Sequence, residues 1–190
     1  MKKVYFISGL GADKRAFSFL DLTFCEPIFI DWIKPVDNES LYQYAMRLKE
    51  QINEPSPTIV GVSFGGMLAT EIAKSDASAK VIIISSNKIK KEFPKILLIG
   101  KYIPLYKWIP STILKKAGAF RVRFFGPKGE NQKKIFNQIL KDTDTKFTKW
   151  AIHSILPYKL VKADYTIDKG THLMIMNHPK EISDLLKKLI

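Results

Sequence analysis

The stretch Thr58-Ile59-Val60-Gly61-Val62-Ser63-Phe64-Gly65-Gly66-Met67-Leu68-Ala69-Thr70-Glu71-Ile72-Ala73 decides the fold of this chain. Its first five residues form a short apolar run suited to a buried strand, and its last part predicts a helix over 66–74. Between them Gly61-Val62-Ser63-Phe64-Gly65 matches G-x-S-x-G. The bare pattern arises by chance in roughly one chain in twenty. A strand that runs through it straight into a helix is far more specific, because that is the setting of a nucleophile elbow. The turn has to be sharp, so small neighbours are needed where backbones approach closely. Ser63 is then expected in a strained conformation with its hydroxyl exposed, and the helix N-terminus behind it favours a developing anion. The plainer reading is a glycine-rich turn with an incidental serine.

Similar units recur on both sides. Residues 4–8 (VYFIS) read as a buried strand closed by Gly9-Leu10-Gly11, and 13–20 allow one or two helical turns. Residues 27–32 (PIFIDW) read as a second strand. Asn38, Glu39 and Ser40 offer N-caps for a helix through Ile52, with Leu41, Tyr44, Ala45, Leu48 and Ile52 at helical spacing. Residues 80–85 (KVIIIS) read as a strand after the elbow helix. Apolar runs without alternation, separated by helices, predict an α/β fold: a mostly parallel sheet with helices on both faces. In such sheets the chemistry sits at the carboxyl ends of the strands.

From about 88 to 156 the order breaks. There is no convincing strand but several helical stretches, of which 131–140 is the clearest, with Ile135, Phe136, Ile139 and Leu140 on one side. A helical insertion at 88–156 is expected, dividing a core made of 1–87 and 157–190. Residues 164–167 (DYTI) read as a last short strand, followed by Gly170-Thr171-His172 and a closing helix over 179–189.

Composition narrows the class. Of 190 residues, 46% are hydrophobic and 26% charged, which excludes disorder for the bulk of the chain. Cys25 is the only cysteine, which excludes a disulfide scaffold. No apolar run reaches the ~18 residues of a membrane span. The apolar stretch after Met1-Lys2-Lys3 is interrupted by Ser8, Gly9 and Gly11 and runs into Asp13-Lys14-Arg15, so it reads as strand and turn rather than as a signal peptide. A cytoplasmic location is expected. Three scattered histidines and one cysteine offer no metal-ligand spacing, and no cofactor is implied.

The net charge is +13, but it is unevenly placed: residues 88–150 hold 16 Lys and Arg against 4 Asp and Glu. That segment also carries Leu97, Leu98, Ile99, Tyr102, Ile103, Leu105, Tyr106, Trp108 and Ile109. It reads first as an amphipathic cover whose Lys stems lie over apolar surface. Weak contact with an anionic membrane is a second reading, and a nucleic-acid surface a third. No helix-turn-helix, zinc-finger or RNP pattern supports specific nucleic-acid binding.

Three segments, SGLGADKRAF after the first strand, GVSFGG at the elbow and GTHLM near the end, make the sequence resemble the α/β-hydrolase superfamily. It is most similar to the small bacterial members with a helical cap, and the likeness runs from Val4 to the C-terminus. The resemblance implies Ser63 as nucleophile and His172 as the base that takes its proton and returns it to the leaving group. It implies an oxyanion hole from the backbone N–H groups of Phe64 and Leu10. It places the cap at 88–156. His153, in the insertion, then reads as a surface or packing residue, and His178, before Pro179, as a cap or loop residue.

The pattern fails at the acid. The family places another strand between cap and last strand, with an Asp in the loop after it. Residues 151–163 (AIHSILPYKLVKA) contain no acid, no glycine and no strand followed by a turn. The substitutes are weak. Asp164 starts the last strand, roughly 10–15 Å below the active end. Asp168 ends that strand on the correct side, four residues before His172, but reads more readily as a solvated turn residue. Glu92 follows the fourth strand. A missing strand predicts that the last strand pairs directly with the fourth.

Two functions follow. One is a serine hydrolase acting on a small carboxylic ester or thioester with an apolar acyl group, through an acyl-enzyme on Ser63. The other is a non-catalytic relative, a binding or regulatory module that kept Ser63, Gly61 and Gly65 but lost the acid. A third reading, dinucleotide binding, uses Gly9-Leu10-Gly11 and Asp31 about twenty residues on, but Lys14 stands where G-x-G-x-x-G requires a small residue. The oligomeric state is open.

Overall fold

The computed structural model describes residues 1–86, 127–155, 164–167 and 173–190. Among the described residues five strands form one sheet: β1 Lys3–Ile7, β2 Glu26–Phe29, β3 Thr58–Val62, β4 Lys80–Ile84 and β5 Tyr165–Ile167. Their order is β2-β1-β3-β4-β5, and every pair is parallel. All five β3 residues are buried, and β1 and β4 each bury four. Both faces are covered, which is why these strands show no polar alternation.

On one face Tyr5, Ile7, Ile59, Val81 and Ile83 pack against α1 (Leu41–Lys49), α2 (Phe64–Ser75) and α4 (Thr145–Ile155). On the other, Val4, Phe6, Val60, Ile82, Ile84 and Ile167 pack against a 3₁₀ turn (Lys14–Phe17), α5 (Met174–Asn177) and α6 (Pro179–Leu189). Each fully buried side chain of this size contributes about 1.5–3 kcal/mol. Ser40 caps α1 in a capping box with Gln43, as the sequence suggests.

Several boundaries differ from expectation. β2 ends at Phe29, short of Trp32. The Gln51 side chain binds both the N–H and the C=O of Asp31, and the Tyr44 hydroxyl binds both those of Ile33, so this segment leaves the sheet for α1. α1 stops at Lys49, and the next residues close tighter i→i−3 turns. α2 begins at Phe64 rather than Gly66. The short helix α5, with Met174, Ile175 and Met176 all buried, has no counterpart in the sequence reading. Pro179 at the start of α6 separates the two helices.

The last strand pairs directly with the fourth, Ile82↔Tyr165, Ile83↔Thr166 and Ile84↔Ile167, so no strand lies between them. Asp164 completes the pairing. Its N–H donates to the Val81 carbonyl, and its carboxylate accepts from the Val81 N–H at 2.7 Å. Its place is in the ladder, not in a catalytic site.

Of the expected insertion at 88–156, residues 127–155 are described, and they are helical: α3 (Glu130–Asp142) and α4. They are stapled to the core. Thr143 donates to the Gly11 carbonyl, and Arg15 bridges Asp13 and Asp142. Phe147 and Ala151 join the core beside Tyr44, and the Trp150 indole N–H donates to the Glu39 carbonyl. Most of the basic segment, including 88–126, lies outside the described residues. Among those described, no helix is long and apolar enough to cross a membrane.

Two outcomes follow from these contacts. Asp164→Ala strands the buried Val81 N–H and should lower the unfolding free energy by about 1–3 kcal/mol in denaturant titration, whereas Asp164→Asn, which keeps an acceptor oxygen, should lose less. Asp13 is held below the usual carboxylate range, first by the Arg15 side-chain hydrogen bond. Its contribution is therefore complete above about pH 4 and is lost as pH falls through the depressed value. Thermal scans should show Arg15→Ala narrowing the gap to native protein as pH falls below about 4.

Candidate active site

In the order β2-β1-β3-β4-β5 the chain leaves β1 toward one edge, then returns to add β3 on its other side. The loops after β1 and β3 thus depart in opposite directions and leave a crevice at their carboxyl ends. Ser63 stands in that crevice, between the last residue of β3 and the first of α2.

Its backbone has φ 52° and ψ −116°, a left-handed conformation uncommon for a residue with a Cβ and costing about 1–3 kcal/mol. The surroundings hold it there. The Ser63 N–H donates to the Ile84 carbonyl at 2.9 Å, continuing the β3–β4 ladder by one residue. The Ser63 carbonyl accepts from the Gly66 N–H at 3.0 Å and from the Ser86 hydroxyl at 2.6 Å. Two glycines make the turn sterically feasible. A Cβ on Gly61 would lie 2.5 Å from the Gly65 carbonyl oxygen, and one on Gly65 would lie 2.3 Å from the Ile7 carbonyl oxygen and 2.4 Å from that of Ser8. The elbow is thus pressed backbone to backbone onto the end of β1.

That contact sets the loop after β1 beside the serine. A Cβ placed on Gly9 would sit 3.4 Å from the Ser63 Cβ and 4.0 Å from its Oγ. The turn is held by the Ala12 N–H donating to the Gly9 carbonyl and by the Ser8 hydroxyl donating to the Ala12 carbonyl. Leu10 lies in this turn, half-buried. Phe64 is buried, and its ring packs in an aromatic group with Trp32, Phe147 and Trp150 at centroid distances of 5.9, 6.2 and 6.3 Å. Tyr44, its hydroxyl pushed above the ordinary range by burial, packs its ring on Phe147 and Trp150 of that group. An open cleft of about 370 Å³ lies against the β1 loop, lined by Ala12, Trp32, Pro35, Asp142, Thr143 and Phe147 among others; Ser63 does not line it.

The structure therefore brings together Ser63, Phe64, Gly61, Gly65 and the Gly9–Leu10 turn. His172, Asp168 and Glu92 lie outside the described residues. His153 is an exposed residue of α4. His178 precedes α6, with its Nδ1 3.3 Å from a Glu181 carboxylate oxygen. The glycine turn after β1 opens only a four-residue 3₁₀ turn, so the phosphate-facing helix of a dinucleotide fingerprint does not form there. Sequence reasoning missed Ser86. Its only signal was a pair of small polar residues, Ser85-Ser86, closing the strand beside the elbow.

Comparison with solved structures agrees with this geometry. The chain superposes along its whole length on a lipase-esterase related protein from Clostridium acetobutylicum ATCC 824, with TM-score 0.68, 14% identity and 94% of that chain covered. A thermophilic esterase from Thermogutta terrifontis gives TM-score 0.70, 11% identity, and coverage of 100% of this chain and 89% of the other. An N-acyl homoserine lactonase complexed with N-hexanoyl homoserine gives TM-score 0.68, 14% identity, and coverage of 99% and 88%. The chain has the α/β-hydrolase fold. No protein-family model matches it, and no curated protein does.

The two glycine positions separate folding from reactivity. Gly65→Ala drives a methyl into two carbonyl oxygens and should destabilise the chain by about 3 kcal/mol or more. Gly9→Ala meets only ordinary contact distances and should fold with a melting temperature near the native one, while narrowing the space above Ser63. Parallel thermal melts of the two variants check this.

Proposed function

We propose that the chain is a serine hydrolase that cleaves a small carboxylic ester or thioester through an acyl-enzyme on Ser63. The observation that carries this reading is the left-handed backbone of Ser63 at the start of α2, in the crevice between β1 and β3. A plain glycine-rich turn would place a glycine in the strained position, whereas here the glycines flank it and a serine occupies it. In this reading Ser63 Oγ attacks the acyl carbonyl while His172 takes its proton. The tetrahedral oxyanion is held by the N–H groups of Phe64 and Leu10. As the intermediate collapses, His172 returns the proton to the alkoxide or thiolate that leaves. Water, activated by His172, then releases the acid and frees Ser63.

The neighbours named as esterases and as a lactonase support acyl chemistry on a small molecule. The aromatic group around Phe64 favours an apolar acyl chain, and the helical insertion at 88–156 serves as cap. The acid that would orient His172 is left open, with Asp168 the weak candidate beyond the last strand, and a cytoplasmic location fits this chemistry.

One observation favours a second reading. Direct β4–β5 pairing removes the strand after which the family carries its acid. A site without that acid loses the group that orients the base, and neutralising it in a serine protease costs about 10⁴ in kcat. The fold would then serve as a binding module.

Fluorophosphonate labelling read by intact mass separates the two. The hydrolase reading expects one adduct on native protein, lost in Ser63→Ala and in His172→Ala. A folded native chain that takes no adduct supports the binding module and ends the hydrolase reading.

A further inference from the structure

We infer that Ser86 is a positioning residue for the oxyanion hole, acting through the peptide group that joins Ser63 to Phe64. The inference rests on the serine-hydrolase reading and adds to it a part that the nucleophile motif does not contain.

The argument begins in the sheet. Val62 and Ile84 are register partners at the carboxyl ends of β3 and β4, so the residues after them emerge side by side. Ser63 turns into α2. Ser85 takes a left-handed backbone, φ 48°, while its N–H still donates to the Ile167 carbonyl at 3.1 Å. That bend brings Ser86 back beneath the elbow, 7% exposed, where its hydroxyl donates to the Ser63 carbonyl at 2.6 Å. The seat is tight. A Cβ on Gly66 would lie 2.6 Å from both Cβ and Oγ of Ser86, so the glycine leaves the space that the serine fills.

The consequence follows from peptide planarity. The Ser63 C=O and the Phe64 N–H belong to one rigid plane and point in opposite directions. Fixing the carbonyl from below aims the N–H. Phe64 is the first residue of α2, so its N–H has no partner within the helix and is available to a ligand. The Gly66 N–H reaches the same carbonyl but belongs to the helix and moves with it. Ser86 comes from a different strand and ties the plane to the sheet. Its hydrogen bond also polarises the peptide, strengthening the N–H on the far side as a donor. Oxyanion stabilisation depends on donors already in place when charge develops. An anchor of this kind should therefore act on the transition state and not on bound substrate.

The test uses p-nitrophenyl butyrate turnover and phenylboronic acid, which forms a tetrahedral adduct with an activated serine. Ser86→Ala should lower kcat about tenfold, less than the 10²–10³ expected for loss of a direct donor. KM should stay within about twofold of native, and boronic acid inhibition should weaken by the same factor as kcat. Ser86→Cys, close in shape and weaker as a donor, should fall between. It carries the same comparison if Ser86→Ala does not fold. A folded variant with native kcat and native boronic acid affinity overturns the proposal. So does a loss confined to KM. A native chain inert to fluorophosphonate overturns the hydrolase reading instead. In that case the amide nitrogen shift of Phe64 still reports on the anchor: unchanged in Ser86→Ala, it shows that Ser86 does not hold the peptide.

Discussion

The backbone of the elbow touches the backbone of β1, and nearly every feature of the site depends on that contact. Gly65 stands against the carbonyls of Ile7 and Ser8, while Gly61 stands against Gly65 itself. No side chain separates helix from sheet at this point. α2 can therefore start immediately after β3, and Ser63 is forced through a left-handed conformation to make the turn. The strain of about 1–3 kcal/mol is small beside the burial of Leu68, Ala69 and Ile72 along the same helix. The same contact brings Gly9 against Ser63, so the elbow serine and the turn after β1 are joined by one steric constraint.

The order β2-β1-β3-β4-β5 does not by itself name a chemistry, because doubly wound nucleotide binders share it and also use the crevice between β1 and β3. What differs is the kind of loop on each side. A phosphate binder needs a long helix opened by the glycine turn after β1, with free N–H groups aimed at the anion. Here that turn leads into one short 3₁₀ turn, and the α-helix that starts at the crevice is α2, entered through the left-handed Ser63 after β3. The residue at the crevice is a half-buried serine at a helix N-terminus, where the helix dipole favours negative charge.

Much of this was legible in the sequence because it is carried by local patterns. The unbroken apolar runs of β1, β3 and β4 announce a sheet covered on both faces, and Gly61 and Gly65 around Ser63 announce the elbow. The direct pairing of β4 with β5 followed from a segment, 151–163, too poor in turn residues to hold another strand and loop. What escaped was settled by partners distant in sequence. β2 stops at Phe29 because Gln51 and Tyr44, on and after α1, take the backbone of Asp31 and Ile33. Sequence position shows only that Asp164 begins the last strand, whereas its carboxylate completes the ladder with Val81. Ser86 belongs to no motif, and its role exists only because β4 is the strand beside β3.

Direct β4–β5 pairing has a further effect on the proposed base. With a strand between them, the segment leading to His172 would start three strands from Ser63. Here Ile167 pairs with Ile84, which pairs with Val62, so it starts two strands away. At about 4.8 Å per strand that is roughly 10 Å across the sheet. The five residues from Ile167 to His172 can extend to about 17 Å, so the span lies within their reach. Losing a strand thus removes the usual site of the acid and shortens the path of the base at the same time. A Ser63–His172 pair remains compatible with the smaller sheet, and the group least assured of a place is the one that orients the imidazole. The geometry that is built in, namely the elbow, the Gly9 turn and the Ser86 anchor, is made of backbone and small side chains close to the strand ends. It survives the shortening of the sheet because none of it depends on the missing strand.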